Sequence, residues 1–398
     1  MTSATRSDDQ ERKHARLRVG ISGSYGGVNL GDEAILTGMI GELRSSLSAE
    51  LTVFSRDPED TLKRHRVERS VAIRQLTRQE AREEVKRLDV LILGGGGILY
   101  DADAETYLRE VMLAQELGVL VAVYAISAGP LQDPKVRTTI ANVLNKIPLI
   151  TVRDKQGYRL LEDVGVENDI HLTADPALLI EATALPAEAL MTEGVDFDRH
   201  LVGFSVREPG PAAPHISPTH YYELLANAAD FMIDRLNADV VFVPMEKGDI
   251  RHSHGVVANM EYSQRAEILR RNYTSQQILS LIGRFDFCVG MRLHFLIFSA
   301  LQSVPFVALP YASKVTGFIQ DLEMAMPPMH DVRSGRLIAS IDRAWDTRHE
   351  IKTKIQRLLP GLKERARETN GLLLKMLHEE TQNGVGKERR QRNGSPAH

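Results

Sequence analysis

The sequence has a single cysteine, Cys288, among its 398 residues. One cysteine cannot form an intramolecular disulfide, and it cannot build a zinc site from several thiolates. Because Cys288 lies in the apolar segment that ends at Gly290, we expect a small buried hydrophobe rather than a nucleophile. The chemistry must therefore come from other residue types.

Long apolar runs are also missing. The longest, at 119–126 and 295–301, are far short of the roughly 20 residues that span a bilayer. The N-terminal residues are polar and charged, without the apolar core of a secretory signal. We therefore expect a cytoplasmic protein with no transmembrane segment. A peripheral contact with the inner face of the membrane, through the basic residues at 387–392, stays open.

An excess of positive charge is missing as well. The formal net charge is -4 and the sequence isoelectric point is about 6.4, so we do not expect nucleic acid as a partner. Hydrophobic residues make up 43% of the sequence and charged residues 26%, a composition typical of packed globular domains. The length favours more than one domain.

Two stretches of the chain open in the same way, with a core strand followed by a ligand-facing loop. They begin at residues 17–22 and 201–206. The pattern predicts an α/β protein with two Rossmann-like domains in a GT-B-like arrangement, a cleft site between them and a C-terminal helix packing back on the first domain. The predicted segments are a disordered lead-in at 1–15, an N-terminal domain at 16–185, a linker at 186–200, a C-terminal domain carrying the donor site at 201–346, a C-terminal helix at 347–382 and a tail at 383–398.

A candidate anion site lies between residues 285 and 301. An apolar strand ends at Gly290, and Arg292 and His294 follow at the start of an apolar helix. Backbone amides at a helix start favour anions, arginine offers a bidentate fork for a carboxylate or phosphate, and histidine titrates near neutral pH. A structural salt bridge and a buried core histidine are the alternative interpretation.

Two glycine-rich segments follow strands of the first domain. The segment at 23–33 carries Asn29 and Asp32 at a helix start, where both can act as caps while the glycines let a ligand approach the backbone. It matches neither a dinucleotide fingerprint nor a P-loop. Four consecutive glycines lie at 94–97 and include Gly95 and Gly96. Glycines lose much backbone entropy on folding, so we expect them where a ligand or another backbone comes close.

A polar stretch at 245–256 contains Asp249, His252 and His254. Two histidines near an aspartate suggest a metal site, but further ligands at suitable spacing are missing. We expect an acceptor-binding or solvated loop here, and no metal. Arg207 follows the strand at 201–206 and is expected to point into the crevice at the carboxyl ends of the sheet.

Several of these segments together resemble the polysaccharide pyruvyl transferase family. The similar motifs are Y-G-G-x-N-x-G-D-E-A-I-L at 25–36, D-x-x-x-x-G-G-G-G-x-L at 89–99, Arg-Asp at 153–154, Asp-Pro at 175–176, C-V-G-M-R-L-H at 288–294 and K-V-T-G-F at 314–318. The resemblance covers residues 19 to about 322. Ser127 departs mildly, since the family more often has glycine there.

The resemblance implies transfer of the enolpyruvyl unit of phosphoenolpyruvate to hydroxyls of a sugar in a surface polysaccharide precursor. A pyruvate ketal forms, phosphate is released, and no cofactor is needed. The acceptor is a saccharide, with a lipid-linked form left open. We expect His294, Arg292 and Asp32 to act in catalysis, His294 as a general acid or phosphate partner and Asp32 or Asp249 as the acceptor base. The expected substrate-binding residues are Arg207, Arg292, His294, Asn29, Gly95, Gly96 and Asp249.

Two other functions stay open at this point. A GT-B glycosyltransferase that uses a nucleotide sugar has the same fold class, and an Arg/His helix start also suits a pyrophosphate. A catalytically silent assembly partner of envelope enzymes would show no turnover, although Arg207, Arg292 and His294 argue against it.

Overall fold

The molecule contains two parallel β-sheets, one formed by each half of the chain. The computed structural model describes residues 16–185, 192–208, 217–309, 313–325 and 334–393, with side chains described as far as residue 382. The N-terminal sheet contains β1 (Leu17–Tyr25), β2 (Ala49–Ser55), β3 (Arg69–Val71), β4 (Val90–Leu99), β5 (Leu120–Ala128), β6 (Leu149–Val152) and β7 (Ile170–Leu172). Its spatial order is β3-β2-β1-β4-β5-β6-β7.

The second sheet is smaller. It contains β8 (His200–Ser205), β9 (Ala238–Phe242), β10 (Ala266–Ile268), β11 (Phe287–Gly290) and β12 (Phe306–Ala308), in the order β10-β9-β8-β11-β12. In each sheet the strand order reverses beside the first strand, at β1/β4 and at β8/β11. Open parallel sheets bind ligands outside the carboxyl ends of their strands at such reversal points. The topology therefore places a binding crevice in each domain.

Helices cover both faces of the two sheets, as parallel sheets require. In the N-terminal domain they are α1 (Leu30–Ser46), α2 (Pro58–Arg64), α3 (Arg78–Lys86), α4 (Ala104–Glu116), α5 (Pro134–Leu144) and α6 (Lys155–Val164). Further along the chain they are α7 (Pro218–Leu236), α8 (Lys247–Val257), α9 (Ser275–Ile282), α10 (Leu293–Leu301), α11 (Ser313–Asp321), α12 (Ser334–Asp346) and α13 (Arg348–Asn393). Short 3-10 turns lie at Ile73–Gln75, Pro176–Leu179 and Ser263–Arg265.

One apolar core joins the two domains. It includes Ile35 of α1, Leu279 of α9, Phe295 of α10 and Leu373 of α13, which are all fully or almost fully buried. Burial of such side chains contributes about 1.5–3 kcal/mol each. The protein is thus an α/β molecule with two Rossmann-like domains in a GT-B-like arrangement, as the sequence predicted.

The C-terminal helix α13 packs back on the first domain, as predicted. Thr369 Oγ1 donates to Thr173 Oγ1 at 2.8 Å, and Asn370 Nδ2 donates to Ser46 Oγ at 3.0 Å. The helix continues to Asn393, whereas the sequence prediction ended it at residue 382. Residues 383–386 are N-G-V-G, and asparagine and glycine are residues at which helices commonly end.

The structure also differs from the sequence predictions at 245–256 and at β10. The stretch at 245–256, predicted as a loop, is mostly helix α8, because Glu246 and Asp249 form a reciprocal capping box at its start. Strand β10 was missed, since three residues carry little periodic signal. The predicted lead-in at 1–15, the first part of the predicted linker, residues 209–216 and the last five residues lie outside the described structure. No helix in the described part has the length and apolarity needed to cross a membrane.

Candidate functional site

A cavity of about 280 Å³ lies between the two domains. Its walls come from segments at or after the carboxyl ends of β1, β2, β4, β6, β8, β9, β11 and β12, so both crevices open into one space. The lining residues are Ser24, Gly27, Asn29, Gly31, Asp32, Arg56, Gly97, Tyr100, Arg153, Arg207, Met245, Glu246, Arg292, Leu293, His294 and Lys314.

The start of helix α1 is built to receive a side chain from the other domain. Asn29 caps the helix, with its Oδ1 accepting from the Gly31 amide at 2.9 Å. A Cβ on Gly31 would collide with the His294 ring, so this position must be glycine for the histidine to lie against the helix. The Leu30 amide also donates to the Met245 carbonyl at 2.8 Å. The two domains therefore meet at the site itself.

Asp32 lies in the first turn of α1 and faces the cavity. Burial raises the pKa of its carboxyl, against the opposing positive charges of His294, Lys314 and Arg153. Gly96, with a left-handed φ of +101°, comes close to the Asp32 carboxylate. The carboxyl is thus a stronger base than an exposed aspartate and lies among cations.

A buried ionic cluster fixes His294 from the side opposite to Gly31. Arg153 Nη1 lies 2.6 Å from Asp175 Oδ2, and His294 Nε2 lies 3.4 Å from the same oxygen. The second contact has ion-pair distance without hydrogen-bond geometry, which leaves the buried Nε2 without a hydrogen bond. Burial alone would raise the pKa of Asp175, but Arg153 and His294 hold it well below its ordinary value. Asp175 is therefore ionised and orients both side chains.

Lys314 enters the cavity from α11. Burial, together with the positive charge of Arg153, lowers the pKa of its ammonium to about 8, although Asp32 opposes the shift. A lysine that lies among arginines, with few carboxylates to balance its charge, is electrostatically unfavourable unless an anion binds nearby. The surroundings of Lys314 thus point to a negatively charged ligand.

Arg292 lines the cavity, but its guanidinium contacts carboxylates of its own domain. Its Nε donates to Asp249 Oδ2 at 3.0 Å, and its Nη2 contacts both Asp249 Oδ1 and Glu246 Oε1. Glu208 Oε2 lies 4.0 Å from Nη2. The side chain is largely buried, so these contacts set its position firmly.

Arg207 also lines the cavity, two residues beyond the end of β8. Its Nε donates to Glu208 Oε1 at 3.1 Å. Burial would raise the pKa of Glu208, but the contact with Arg207 lowers it to about 2. The Arg207 carbonyl accepts a hydrogen bond from the buried Tyr221 hydroxyl, which ties this strand end to helix α7.

The structure brings most of the predicted site residues together. Asn29, Asp32, Arg207, Arg292 and His294 line one cavity, although they come from both domains.

Three predicted substrate contacts, Asp249, Gly95 and Gly96, are not among the residues that line the cavity. Asp249 is fully buried, accepts from the Met245 and Glu246 amides and holds Arg292, so it was wrongly expected to face an acceptor. Gly95 is buried against Ile35, so its missing side chain serves helix packing. Gly96 is buried beside Asp32, and the exposed glycine at the cavity is Gly97.

Several lining residues were not selected from the sequence. Lys314 belongs to the K-V-T-G-F motif at 314–318, and its position in that motif could have identified it as a site residue. Arg153 belongs to the Arg-Asp motif at 153–154, but it received no role there. Arg56, Tyr100 and Glu246 carried no local signal, because their place at the cavity depends on strands far apart in the chain.

The acidic residues offer little room for a metal. Among the described residues, Glu208, Glu246 and Asp249 form the one group close enough to share an ion. The Arg292 guanidinium already contacts this group, so a positively charged side chain occupies the position that a metal ion would need. His252 Nδ1 instead pairs with the Tyr222 hydroxyl at 2.9 Å, and His254 is exposed on the same helix two residues away.

The chain matches a known protein family. A family model described as polysaccharide pyruvyl transferase matches residues 29–313. The amylovoran biosynthesis protein AmsJ of Erwinia amylovora is 20% identical over 304 residues, which cover 70% of this chain and 71% of AmsJ.

Solved structures share the fold. The UDP-GlcNAc 2-epimerase of Neisseria meningitidis bound to UDP-GlcNAc has a TM-score of 0.61 at 9% identity, covering 91% of this chain and 100% of that chain. MnaA of S. aureus with UDP has a TM-score of 0.60 at 9% identity, covering 86% and 91%. At such identities the likeness bears on the fold alone.

Proposed function

The chain belongs to the polysaccharide pyruvyl transferase family, and we propose that it transfers the enolpyruvyl unit of phosphoenolpyruvate to two hydroxyls of one saccharide. The products are a pyruvate ketal and inorganic phosphate. The acceptor belongs to a surface polysaccharide precursor, in keeping with the biosynthetic name of AmsJ.

The charge of the cavity carries this proposal. Five permanently or usually cationic side chains line it, namely Arg56, Arg153, Arg207, Arg292 and Lys314, against two carboxylates, Asp32 and Glu246. Phosphoenolpyruvate presents a carboxylate and a phosphate in a small volume. Asp175, Glu208 and Asp249 lie outside this lining and pair with Arg153, Arg207 and Arg292. The cations are therefore the charged groups that a ligand in the cavity mainly meets, and those that are partly buried stabilise an anion more than exposed ones do.

The reaction can be written with all atoms balanced. C3 of the enolpyruvyl unit gains a proton and becomes a methyl group, while C2 becomes electrophilic. One sugar hydroxyl forms a C–O bond to C2 and a second hydroxyl forms another, as the bond from C2 to the phosphate oxygen breaks. Of the two hydroxyl protons, one balances the proton added to C3 and the other leaves with phosphate.

His294 and Asp32 are the proposed proton carriers. His294 is fixed between Gly31 and Asp175, so its ring can protonate C3 or the leaving phosphate from a defined position. Asp32 has a raised pKa, which suits a base that accepts a hydroxyl proton. Lys314, Arg153 and Arg207 are the proposed partners of the donor's carboxylate and phosphate.

Arg292 receives a different role from the one that the sequence predicted. Because Asp249 and Glu246 occupy its guanidinium, we assign it to holding Glu246 at the cavity wall and to the overall positive field. Direct contact with phosphoenolpyruvate stays a prediction for this residue.

Calorimetric titration tests the donor. Phosphoenolpyruvate is titrated in metal-free buffer into the wild type, Lys314→Met and Arg207→Ala, with Lys146→Ala as a control, since Lys146 is exposed and outside the cavity. We expect binding to the wild type and the control, and at least tenfold weaker binding to the other two, because a hydrogen bond to a charged group contributes about 1.5–3 kcal/mol.

The same titrations include UDP- and GDP-sugars. Binding of a nucleotide sugar without any response to phosphoenolpyruvate would contradict the proposal and identify a glycosyltransferase instead. Ketal formation is then followed by the methyl resonance of the product in proton NMR and by phosphate release.

A further inference from the structure

One arginine of the cavity differs from the others in its partners. Arg56 follows the carboxyl end of β2 and lines the cavity. Among the residues that the structure describes, its side chain contacts hydroxyl groups and no carboxylate. The other cavity arginines each pair with a carboxylate: Arg153 with Asp175, Arg207 with Glu208 and Arg292 with Asp249. The charge of Arg56 is therefore left for a ligand.

Neutral groups hold the Arg56 guanidinium in place. Its Nη2 donates to Ser24 Oγ at 3.3 Å and to the Tyr107 hydroxyl at 3.4 Å. A Cβ on Gly27 would lie 2.8 Å from Nη1, so the missing side chain lets the guanidinium lie against the loop after β1. Hydroxyl oxygens at these distances orient the guanidinium without neutralising its charge.

Tyr107 is itself firmly placed. It belongs to α4, is almost fully buried, and its ring lies 4.5 Å from the Arg74 guanidinium. Arg74 lies 3.4 Å from the buried Glu110 carboxylate and donates to the Gly23 carbonyl at 3.0 Å. Because these supporting contacts exist without a ligand, the position of Arg56 is set before any ligand binds.

Ser24 connects Arg56 with the proposed acceptor base. Its oxygen accepts from Arg56, and its hydroxyl also hydrogen-bonds to the Asp32 carboxyl, which opposes the rise in the pKa of Asp32. Asp32 and Arg56 are thus separated by a single small side chain. A sugar whose hydroxyl lies at Asp32 therefore brings its other substituents close to Arg56.

Tyr100 adds a hydrogen-bonding group that suits a sugar. It lines the same cavity, and its hydroxyl donates to Asp103, so the phenolic oxygen is left to accept from a ligand hydroxyl. Burial and the hydrogen bond to Asp103 raise the pKa of Tyr100, whereas the positive charge of Arg56 opposes the shift. The Tyr100 hydroxyl is therefore protonated at neutral pH and can keep this arrangement.

A single guanidinium matches a carboxylate better than a phosphate. Two parallel N–H groups of arginine fit the two oxygens of a carboxylate. Arg74, which shares Tyr107 with Arg56, already pairs with Glu110, so Arg56 supplies the positive charge here alone. Arg56 is also exposed, which places it where a sugar next to the reacting one would lie. Uronic acids are the sugars that carry a carboxylate on the ring.

We propose that Arg56 selects acidic acceptors by binding the carboxylate of a uronic acid that is linked to the reacting sugar. The inference rests on the proposed function, since Asp32 acts there as the acceptor base. Acceptors with a neutral sugar at this place would bind more weakly.

Calorimetric titration of the full chain tests this preference. The ligands are methyl glucuronide and methyl galacturonide, each compared with its neutral counterpart, methyl glucoside or methyl galactoside. The titrations are run with and without saturating phosphoenolpyruvate, because an acidic sugar could otherwise occupy the donor's place. The proteins are the wild type, Arg56→Gln and the control Arg66→Gln. Arg66 is exposed and outside the cavity, so the net charge changes equally.

We expect at least one uronide to bind the wild type and Arg66→Gln at least about threefold more tightly than its neutral counterpart, a modest factor because solvent screens an exposed charge pair. In Arg56→Gln the preference should disappear, since glutamine offers hydrogen bonds without a charge. Absence of any preference in the wild type, or its survival in Arg56→Gln, overturns the proposal.

Arg56→Lys separates charge from geometry. Lysine keeps the positive charge but lacks the planar fork, so it should retain only part of the preference for the uronide. An undiminished preference in Arg56→Lys would overturn the bidentate contact with a carboxylate.

Phosphoenolpyruvate is titrated separately into the same proteins, and its affinity should be equal in the wild type and Arg56→Gln. A loss of about tenfold in Arg56→Gln, the size expected for a lost charged hydrogen bond, would assign Arg56 to the donor and overturn the proposal. Failure of phosphoenolpyruvate to bind any form would remove the proposed donor, whereas the uronide titrations without it would still decide the acidic sugar site.

Discussion

Lys314 illustrates how the fold sets the charge of one side chain. Burial lowers its pKa to about 8, below the ordinary lysine value of 10.5. In the folded protein the ammonium loses its proton as pH rises through about 8, whereas the unfolded chain keeps it until about 10.5. Between these values the unfolded state binds more protons, so the destabilising effect of this lysine fades as pH rises.

The same titration predicts a pH dependence of donor binding. Neutral Lys314 cannot pair with an anion, so we expect the affinity for phosphoenolpyruvate to fall about tenfold between roughly pH 7 and pH 9.5. Calorimetric titration across this range measures it. Phosphate monoesters are already fully ionised there, with a second pKa of about 6, so the ligand does not contribute.

Lys314→Arg is the matched variant for this pH dependence. Arginine stays protonated at every pH used, so its affinity curve should be flat even where the geometry is less favourable. A flat curve for the wild type, or an equal decline in Lys314→Arg, would show that another group controls donor binding.

His294 is the second residue with a specific expectation. His294→Ala should lower kcat by about 10²–10⁴, the usual contribution of a general acid or base, and should change phosphoenolpyruvate affinity much less. The control is His252→Ala, since His252 pairs with Tyr222 outside the cavity. Turnover near the wild-type value in His294→Ala, at saturating donor, would exclude the proton-transfer role.

At the scale of elements, the first turn of α1 is the part of the helix that joins the two domains at the site. Asn29 caps the helix, its Nδ2 reaches Glu246 Oε2 at 3.2 Å, and Ser275 Oγ donates to the Leu30 carbonyl at 2.6 Å. These contacts come from both domains. The first turn of α1 is therefore both a helix end and an interdomain joint.

Gly31→Ala tests this joint. The added methyl group would displace the His294 ring, so we expect at least a hundredfold loss of kcat with phosphoenolpyruvate binding weakened less. Gly41→Ala in the same helix has open space around its Cβ and should raise the unfolding free energy by about 0.5–1 kcal/mol with normal activity. Normal turnover in Gly31→Ala would mean that His294 needs no fixed position.

Much of the fold, but less of the site, could be predicted from the sequence. The apolar runs before Gly290 and Gly94 and the glycine-rich turns behind them are local signals, and they predicted both sheets. Arg292 and His294 were identified by their place at a helix start.

What could not be predicted is which partner each side chain finds. Arg292 contacts Asp249, 43 residues away, and Arg153 contacts Asp175 across two elements. Local spacing carries no information on such pairs, so the sequence predicted neither of these two contacts. The low pKa of Lys314 depends on burial by both domains, which no local pattern records.

For the whole molecule, helix α13 is the largest bridging element. Its buried side chains Ile355, Leu362 and Leu373 belong to the core that also contains α1 and α10. Arg365 Nη2 donates to the Thr173 carbonyl at 2.8 Å, and its Nη1 lies 3.4 Å from Asp321 Oδ2. Each domain also has an apolar cluster of its own, but the cluster shared through α13 predicts that the two domains unfold together.

Leu373→Ala measures how strongly the bridge contributes. The side chain is fully buried, so we expect the free energy of unfolding to fall by about 2–5 kcal/mol. The loss should appear as one shifted transition in urea, followed by fluorescence of Trp345 and by circular dichroism. Lys375→Ala, an exposed neighbour, should shift it by less than about 0.5 kcal/mol. Two separate transitions would contradict the common core.

The late position of α13 in the chain has a consequence for synthesis. Proteins emerge from the ribosome N-terminal part first, and exposed apolar surface in partly made chains promotes aggregation. The parts of α1 and of the turn at Pro176–Leu179 that pack against α13 stay uncovered until Leu373 is made, long after their own sheet can form. Nascent chains that stall before α13 are thus expected to be clients of chaperones, although every residue of the candidate donor cavity has already been translated.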